Sequence, residues 1–152
     1  MAILERIILK FHRLRFRFLC PKTHKKASVH GPFSIIHPNK LHFGERFSLN
    51  DYCYLNATNG IRVGNNVAIS AGAKIISLKL KFTKDNSNNN TKLVHVGSEI
   101  TIGNNVQIGA NATILPNVSI CDNVIIGAGA VVSKSILEPG IYVGIPVKKI
   151  HA

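Results

Sequence analysis

The sequence predicts an all-β protein, a parallel β-helix of hexapeptide repeats with a short amphipathic helix ahead of it and one long excursion inside it. Three observations carry this prediction. The first is a frame shared by seven hexads: Val63-Gly-Asn-Asn-Val-Ala68, Ile69-Ser-Ala-Gly-Ala-Lys74, Ile102-Gly-Asn-Asn-Val-Gln107, Ile108-Gly-Ala-Asn-Ala-Thr113, Ile114-Leu-Pro-Asn-Val-Ser119, Ile120-Cys-Asp-Asn-Val-Ile125 and Ile126-Gly-Ala-Gly-Ala-Val131. Position one is Ile or Val and position five is Val or Ala throughout, so an aliphatic residue points inward beside a small corner residue. The second is position four, occupied only by Asn66, Gly72, Asn105, Asn111, Asn117, Asn123 and Gly129. Asn and Gly are the residues that adopt positive φ with least strain, so the chain turns a left-handed corner every six residues. Three such corners close one triangular coil, and coils stack. The third is strand length: the two or three residues between corners are too short for the hairpins of a β-sandwich.

Each element follows from its local pattern. In residues 1–22, Leu4, Ile7, Ile8, Phe11, Leu14 and Phe18 recur at three- and four-residue spacing until Pro21, which predicts an amphipathic helix. Cations interrupt every apolar run, so this helix neither spans a bilayer nor serves as an export signal. The β-helix is assigned to residues 23–150. Its first coils are looser, with Val29, Phe33, Ile35 and Ile36 as the expected inward set. From Phe43 the frame is legible, with a two-residue expansion at Asn59-Gly60. It stops after Ile75-Ile76-Ser77 and resumes at Ile100-Thr-Ile102. The excursion, about 78–99, is polar and Asn-rich; long loops inside compact repeats are more often functional than dispensable. Residues 138–152 are expected to pack on the last coils.

At 152 residues the chain is one domain with a net charge of +12. Residues 1–26 hold Arg6, Lys10, Arg13, Arg15, Arg17, Lys22, Lys25 and Lys26 against Glu5, which makes +7 of that total. No helix-turn-helix, zinc or RNA-binding signature accompanies this basic segment, so nucleic acid is not the expected partner. Two readings of the helix stay open: a cap on the open first coil or a neighbouring copy, and an anchor on an anionic membrane surface through residues 1–20. Cys20, Cys53 and Cys121 form no spaced framework, which favours reduced thiols and a cytoplasmic setting, peripheral on the inner membrane face if the helix binds lipid. Asp and Glu are too sparse for a metal cage, and no Cys/His spacing suggests zinc.

From about Phe43 to Ile150 the chain resembles the hexapeptide-repeat acyltransferases, above all in Ile102-Gly-Asn-Asn-Val, Ile114-Leu-Pro-Asn-Val, Ile126-Gly-Ala-Gly-Ala-Val-Val and Val143-Gly-Ile-Pro. It is similar in particular to galactoside and maltose acetyltransferases and to polysaccharide O-acetyltransferases. The resemblance implies a left-handed helix, a homotrimer with sites between neighbouring prisms, acetyl-CoA as acyl donor and a saccharide or lipid-linked saccharide as acceptor. The expected activity is O-acetylation in surface polysaccharide or lipopolysaccharide assembly. N-acetylation of a nucleotide-linked amino sugar and a non-catalytic scaffold are the alternatives.

Acyl transfer from a thioester needs one base for the acceptor proton and N–H donors for the oxyanion. The galactoside and maltose enzymes carry their His just after the strand that resembles Ile75-Ile76-Ser77, where this chain has Lys79, Leu80 and Lys81. His95, near the end of the excursion, is therefore the expected base, with His30, His37 and His42 of the first coils as competitors. Asn50 matches the family position that contacts the acceptor sugar, and Asp51 stands beside it. By resemblance, coenzyme A would meet the backbone of Gly109, Ala110, Gly127 and Ala128. Ser133 and Lys134 match a Thr-Lys pair of the family, while Lys148 and His151 take the places of phosphate-contacting arginines, with Lys149 adding charge.

Overall fold

All seven position-four residues turn with positive φ, from 54° at Asn105 to 70° at Gly72. Arg46 (φ 55°) and Tyr52 (φ 58°) do the same at position four of the weaker hexads that begin at Phe43 and Leu49, and His37 (φ 54°) turns within the first coil. Every position-one and position-five side chain of the seven hexads is buried. Burial of each such aliphatic side chain stabilises by about 1.5–3 kcal/mol, and this repeated term drives the stacking.

The computed structural model describes residues 2–21, 27–84 and 91–150; Lys22, Lys25, Lys26 and His151 lie outside them. Helix α1 (Ala2–Leu19) precedes a left-handed parallel β-helix. The first coil contains β1 (Ala27–Val29), β2 (Phe33–Ile36) and β3 (Leu41–Phe43), and the second β4 (Phe47–Leu49), β5 (Cys53–Asn56) and β6 (Ile61–Val63). The third runs β7 (Val67–Ile69), β8 (Lys74–Ile76), an inserted hairpin of β9 (Lys79–Lys84) and β10 (Thr91–Val96), then β11 (Ile100–Ile102). The fourth holds β12 (Val106–Ile108), β13 (Thr113–Ile114) and β14 (Ser119–Ile120), and the last β15 (Val124–Ile126) and β16 (Val131–Val132). Ile136 bridges to Ile120 to close the last coil. Strands β17 (Gly140–Val143), parallel to β15, and β18 (Lys148–Ile150), antiparallel to β17, end the first side. The three sides are thus β1-β4-β7-β12-β15-β17-β18, β2-β5-β8-β13-β16 and β3-β6-β11-β14.

Two local expectations differ from the structure. Ile36 of the expected inward set is exposed, because its strand alternates from buried Phe33 and Ile35. The excursion is an antiparallel hairpin that pairs Lys79 with Val96 and Lys84 with Thr91, rather than a loop throughout. It is inserted at a corner, so the stacked core on either side is undisturbed.

Helix α1 closes the open end of the first coil. Phe16, 2% exposed, meets Phe33 of β2 edge-on at 5.6 Å and Phe43 of β3 at 5.8 Å between centroids. Arg13 Nε donates to the Val29 carbonyl of β1 at 3.2 Å, and Arg15 Nη1 to the Phe33 carbonyl at 3.0 Å. The plug therefore touches all three sides. Yet the apolar stripe read from the sequence does not make it: Leu4, Ile7, Ile8, Phe11, Leu14 and Phe18 are all exposed. Phe16→Ala is expected to lower unfolding free energy by about 3–5 kcal/mol, and Phe18→Ala to stay within about 0.5 kcal/mol of the parent, both measured by urea denaturation.

Candidate active site

Parallel register aligns one residue per coil along the edge between the first and second sides. Val29 pairs with Leu49, Leu49 with Ile69, Ile69 with Ile108, Ile108 with Ile126, and Ile126 with Tyr142. The residues that follow form a row: His30, Asn50, Ser70, Gly109, Gly127 and Val143. Lys148 extends it, since antiparallel β18 places it opposite Val143. Successive members stand about 4.8 Å apart.

Within the row each backbone N–H donates to the next coil: Asn50 to the Ile69 carbonyl (3.0 Å), Ser70 to Ile108 (2.9 Å), Gly109 to Ile126 (2.8 Å) and Gly127 to Tyr142 (2.8 Å). The amides of Gly109 and Gly127 are thereby committed to the fold. Gly109 is glycine for the same reason, because a Cβ there would lie 2.6 Å from backbone atoms of the next coil. One residue further round the corner the situation changes. Among the described residues, the N–H groups of Ala110 and Ala128 have no hydrogen-bond partner.

Of the residues singled out from the sequence, Asn50, Gly109, Gly127 and Lys148 fall in the row, and Asp51, Ala110 and Ala128 lie beside it. Asn50 Nδ2 also donates to the Ile69 carbonyl (3.0 Å), so its amide has a structural role and presents its oxygen as the remaining polar atom. The Asp51 carboxylate lies against Gly31, where any side chain would overlap it.

The other candidates are on the opposite edge of the second side. His95 is exposed on β10 and pairs with Leu80. Ser133 and Lys134 are exposed just after β16, on that same edge. A single chain therefore does not bring His95, Ser133 or Lys134 to Asn50, and His151 lies outside the described residues. Lys149 makes an exposed ion pair, its Nζ 3.0 Å from the Glu138 carboxylate, which raises its pKa.

Residues not singled out as functional fix the hairpin base. Ser77, completely buried, donates from Oγ to the Asn56 carbonyl (2.8 Å) and accepts the Asn59 N–H (2.9 Å), while Asn59 Nδ2 donates to the Ser77 carbonyl (2.7 Å). The sequence signals were the Asn59-Gly60 expansion and the broken frame after Ser77. Of the competing histidines, His30 is the one that the register puts next to Asn50. Among the described residues no three His, Cys, Asp or Glu side chains gather as metal ligands would.

A parallel β-helix whose edge carries glycine-lined corners, unpartnered amides and a terminal lysine is the frame of a hexapeptide-repeat protein. Residues 99–134 match the sequence profile of the bacterial transferase hexapeptide family (six repeats). A maltose O-acetyltransferase from Clostridium difficile 630 is 31% identical and superposes with a TM-score of 0.75, covering 89% of this chain and 71% of that one. AntD, an N-acyltransferase from Bacillus cereus solved with dTDP and 3-hydroxybutyryl-CoA, is 26% identical with a TM-score of 0.58, covering 84% of this chain and 80% of its own. The "Putative acetyltransferase" of Schizosaccharomyces pombe is 33% identical over 125 residues, 81% of this chain, and this chain spans 58% of its length. The chain belongs to the hexapeptide-repeat acyltransferase family.

No cysteine is set up as a nucleophile at this edge. Burial pushes the thiols of Cys20 and Cys53 up to about 11, so their thiolates form only as the pH climbs towards that value. Cys121 is partly exposed. A thiol reagent at pH 8 is expected to titrate one cysteine in the folded protein and all three in denaturant.

Proposed function

We propose that this chain moves an acetyl group from acetyl-CoA to a saccharide hydroxyl, in the assembly of a surface polysaccharide or lipopolysaccharide. The observation that carries this reading is the row. It offers polar acceptor contacts, Asn50 and Asp51, near the first coil and a cation, Lys148, at the far end, with the free amides of Ala110 and Ala128 between them. An extended pantetheine arm would run along this edge, its amides meeting those corners, with Lys148 near the nucleotide phosphates.

The base would come from a neighbouring copy. In a homotrimer, the hairpin edge of one prism faces the row of the next, bringing His95 of one copy towards Asn50 and Asp51 of another, and Ser133 and Lys134 towards the coenzyme beside Gly127 and Ala128. His95 then takes the proton of the acceptor hydroxyl as its oxygen bonds to the thioester carbonyl carbon. A backbone N–H at the corner holds the oxyanion. As the tetrahedral intermediate collapses, the C–S bond breaks, the acetyl ester remains on the sugar, and the leaving thiolate takes the proton back from the imidazolium.

Likeness to AntD supports the second reading, N-acylation of a nucleotide-linked amino sugar. Assays pairing acetyl-CoA with hydroxyl and amino acceptors separate the two, and absence of any acetyl-CoA binding would leave only a scaffold.

Light scattering is expected to give a trimer, and a monomer at micromolar concentration overturns the shared site. His95→Ala is expected to lower turnover by about 10²–10⁴-fold with coenzyme A affinity nearly unchanged, since the imidazole acts on the acceptor. Full turnover in His95→Ala together with loss in His30→Ala would move the base to the row itself.

A further inference from the structure

Helix α1 has three sectors when its residues are set at 3.6 per turn. Phe16 and Cys20 are buried towards the first coil, with Leu9, His12 and Leu19 partly buried on the same side. Roughly opposite them stand Ile7 at 57% exposure, Phe11 at 63%, Leu14 at 50% and Phe18 at 77%. Exposed Arg6, Lys10 and Arg17 form a flank between the two. The cap needs none of the outer apolar side chains, because Phe16, Arg13 and Arg15 already satisfy the open coil.

We propose that this outer sector is an interfacial anchor that seats the first-coil end of the β-helix on an anionic lipid bilayer. Charge selects the occupant. This face is flanked by Arg6, Lys10 and Arg17, so a second copy docked through the same face would bring cations to cations. Nucleic acid would pair with the basic flank but leave Ile7, Phe11 and Phe18 in water. An anionic membrane meets both needs: acyl chains take the apolar sector and headgroups take Arg6, Lys10 and Arg17. The anchor lies in the interface, for among the described residues no helix is long and apolar enough to cross a membrane.

The orientation has a second consequence, which rests on the proposed function. Asn50 and Asp51 belong to the second coil, close to the anchored end, while Lys148 is on the outermost strand of the far end. The acceptor end would therefore face the bilayer and the coenzyme would enter from water, which suits a lipid-linked saccharide.

The chain contains no tryptophan, so Phe11→Trp installs a sole tryptophan on the outer sector, excited apart from the three tyrosines at the red edge of the absorption band. With phosphatidylcholine vesicles containing phosphatidylglycerol, its emission is expected to shift to the blue and to be quenched by brominated acyl chains. Vesicles of phosphatidylcholine alone should bind far less. Arg6→Glu with Lys10→Glu is expected to weaken partitioning about tenfold or more. Ile7→Trp reads the same face if the first variant melts below the parent. No shift with either vesicle overturns the anchor, as does equal response to both. A blue-shifted reporter without vesicles, rising with protein concentration, assigns the face to a second copy and also overturns it. These readouts involve no turnover, so failure of the acyltransferase reading leaves them unaffected.

Discussion

A left-handed backbone corner must recur every six residues, and almost everything else in this molecule depends on that recurrence. L-residues resist it by roughly 1–2 kcal/mol each, which is why Asn and Gly fill the regular hexads. Hydrogen bonds between coils hold the corners in place. On the edge between the third and first sides, Asn66 Nδ2 donates to Asn105 Oδ1 at 2.9 Å and Asn105 Nδ2 to Asn123 Oδ1 at 3.1 Å. Beside this ladder the Asn104 backbone N–H donates to Asp122 Oδ1 at 2.7 Å, and Asn104 holds that carboxyl below its ordinary pKa. Such cross-coil restraint lets Arg46 and Tyr52, poor residues for the purpose, take the same corner in the less regular second coil.

Local periodicity reveals what is repeated and is silent about what is not. The hexads disclosed the corners and the core because each repeat supplies an independent copy of the same steric demand. The hairpin was hidden, although Lys79-Leu-Lys-Phe alternates, because its strands are mostly exposed and the Asn-rich sequence between them reads as a loop. Helix α1 shows a different limit. Its amphipathic stripe is real, but periodicity cannot say which face finds a partner. A three-sided hole at the end of the coil selects Phe16, which lies outside the stripe.

The site was half legible for a related reason. Asn50, Gly109 and Gly127 share a row only through a register that survives an interruption of more than twenty residues, and Lys148 joins it only because β18 folds back on β17. Neither follows from spacing. Residue types did identify glycines at corners, yet the free donors belong to their alanine neighbours, since the glycine amides are used by the ladder. Spacing is equally silent about the ion pair of Lys149 with Glu138, a partner eleven residues distant in sequence that the antiparallel β17–β18 pair brings close.

The row also behaves as a ruler. Its divisions are strand spacings, fixed by hydrogen-bond length rather than by any side chain, so the interval from Asn50 to Lys148 can change only in whole steps of about 4.8 Å. Point substitutions along the edge can alter what is gripped at each mark but not the distance between marks. On the proposed function, a shorter or longer acyl donor would have to be met by gaining or losing an entire coil, whereas the hairpin at the opposite edge can lengthen or shorten freely. That reading would place reach and selectivity in separate parts of the chain, one quantised and one continuous.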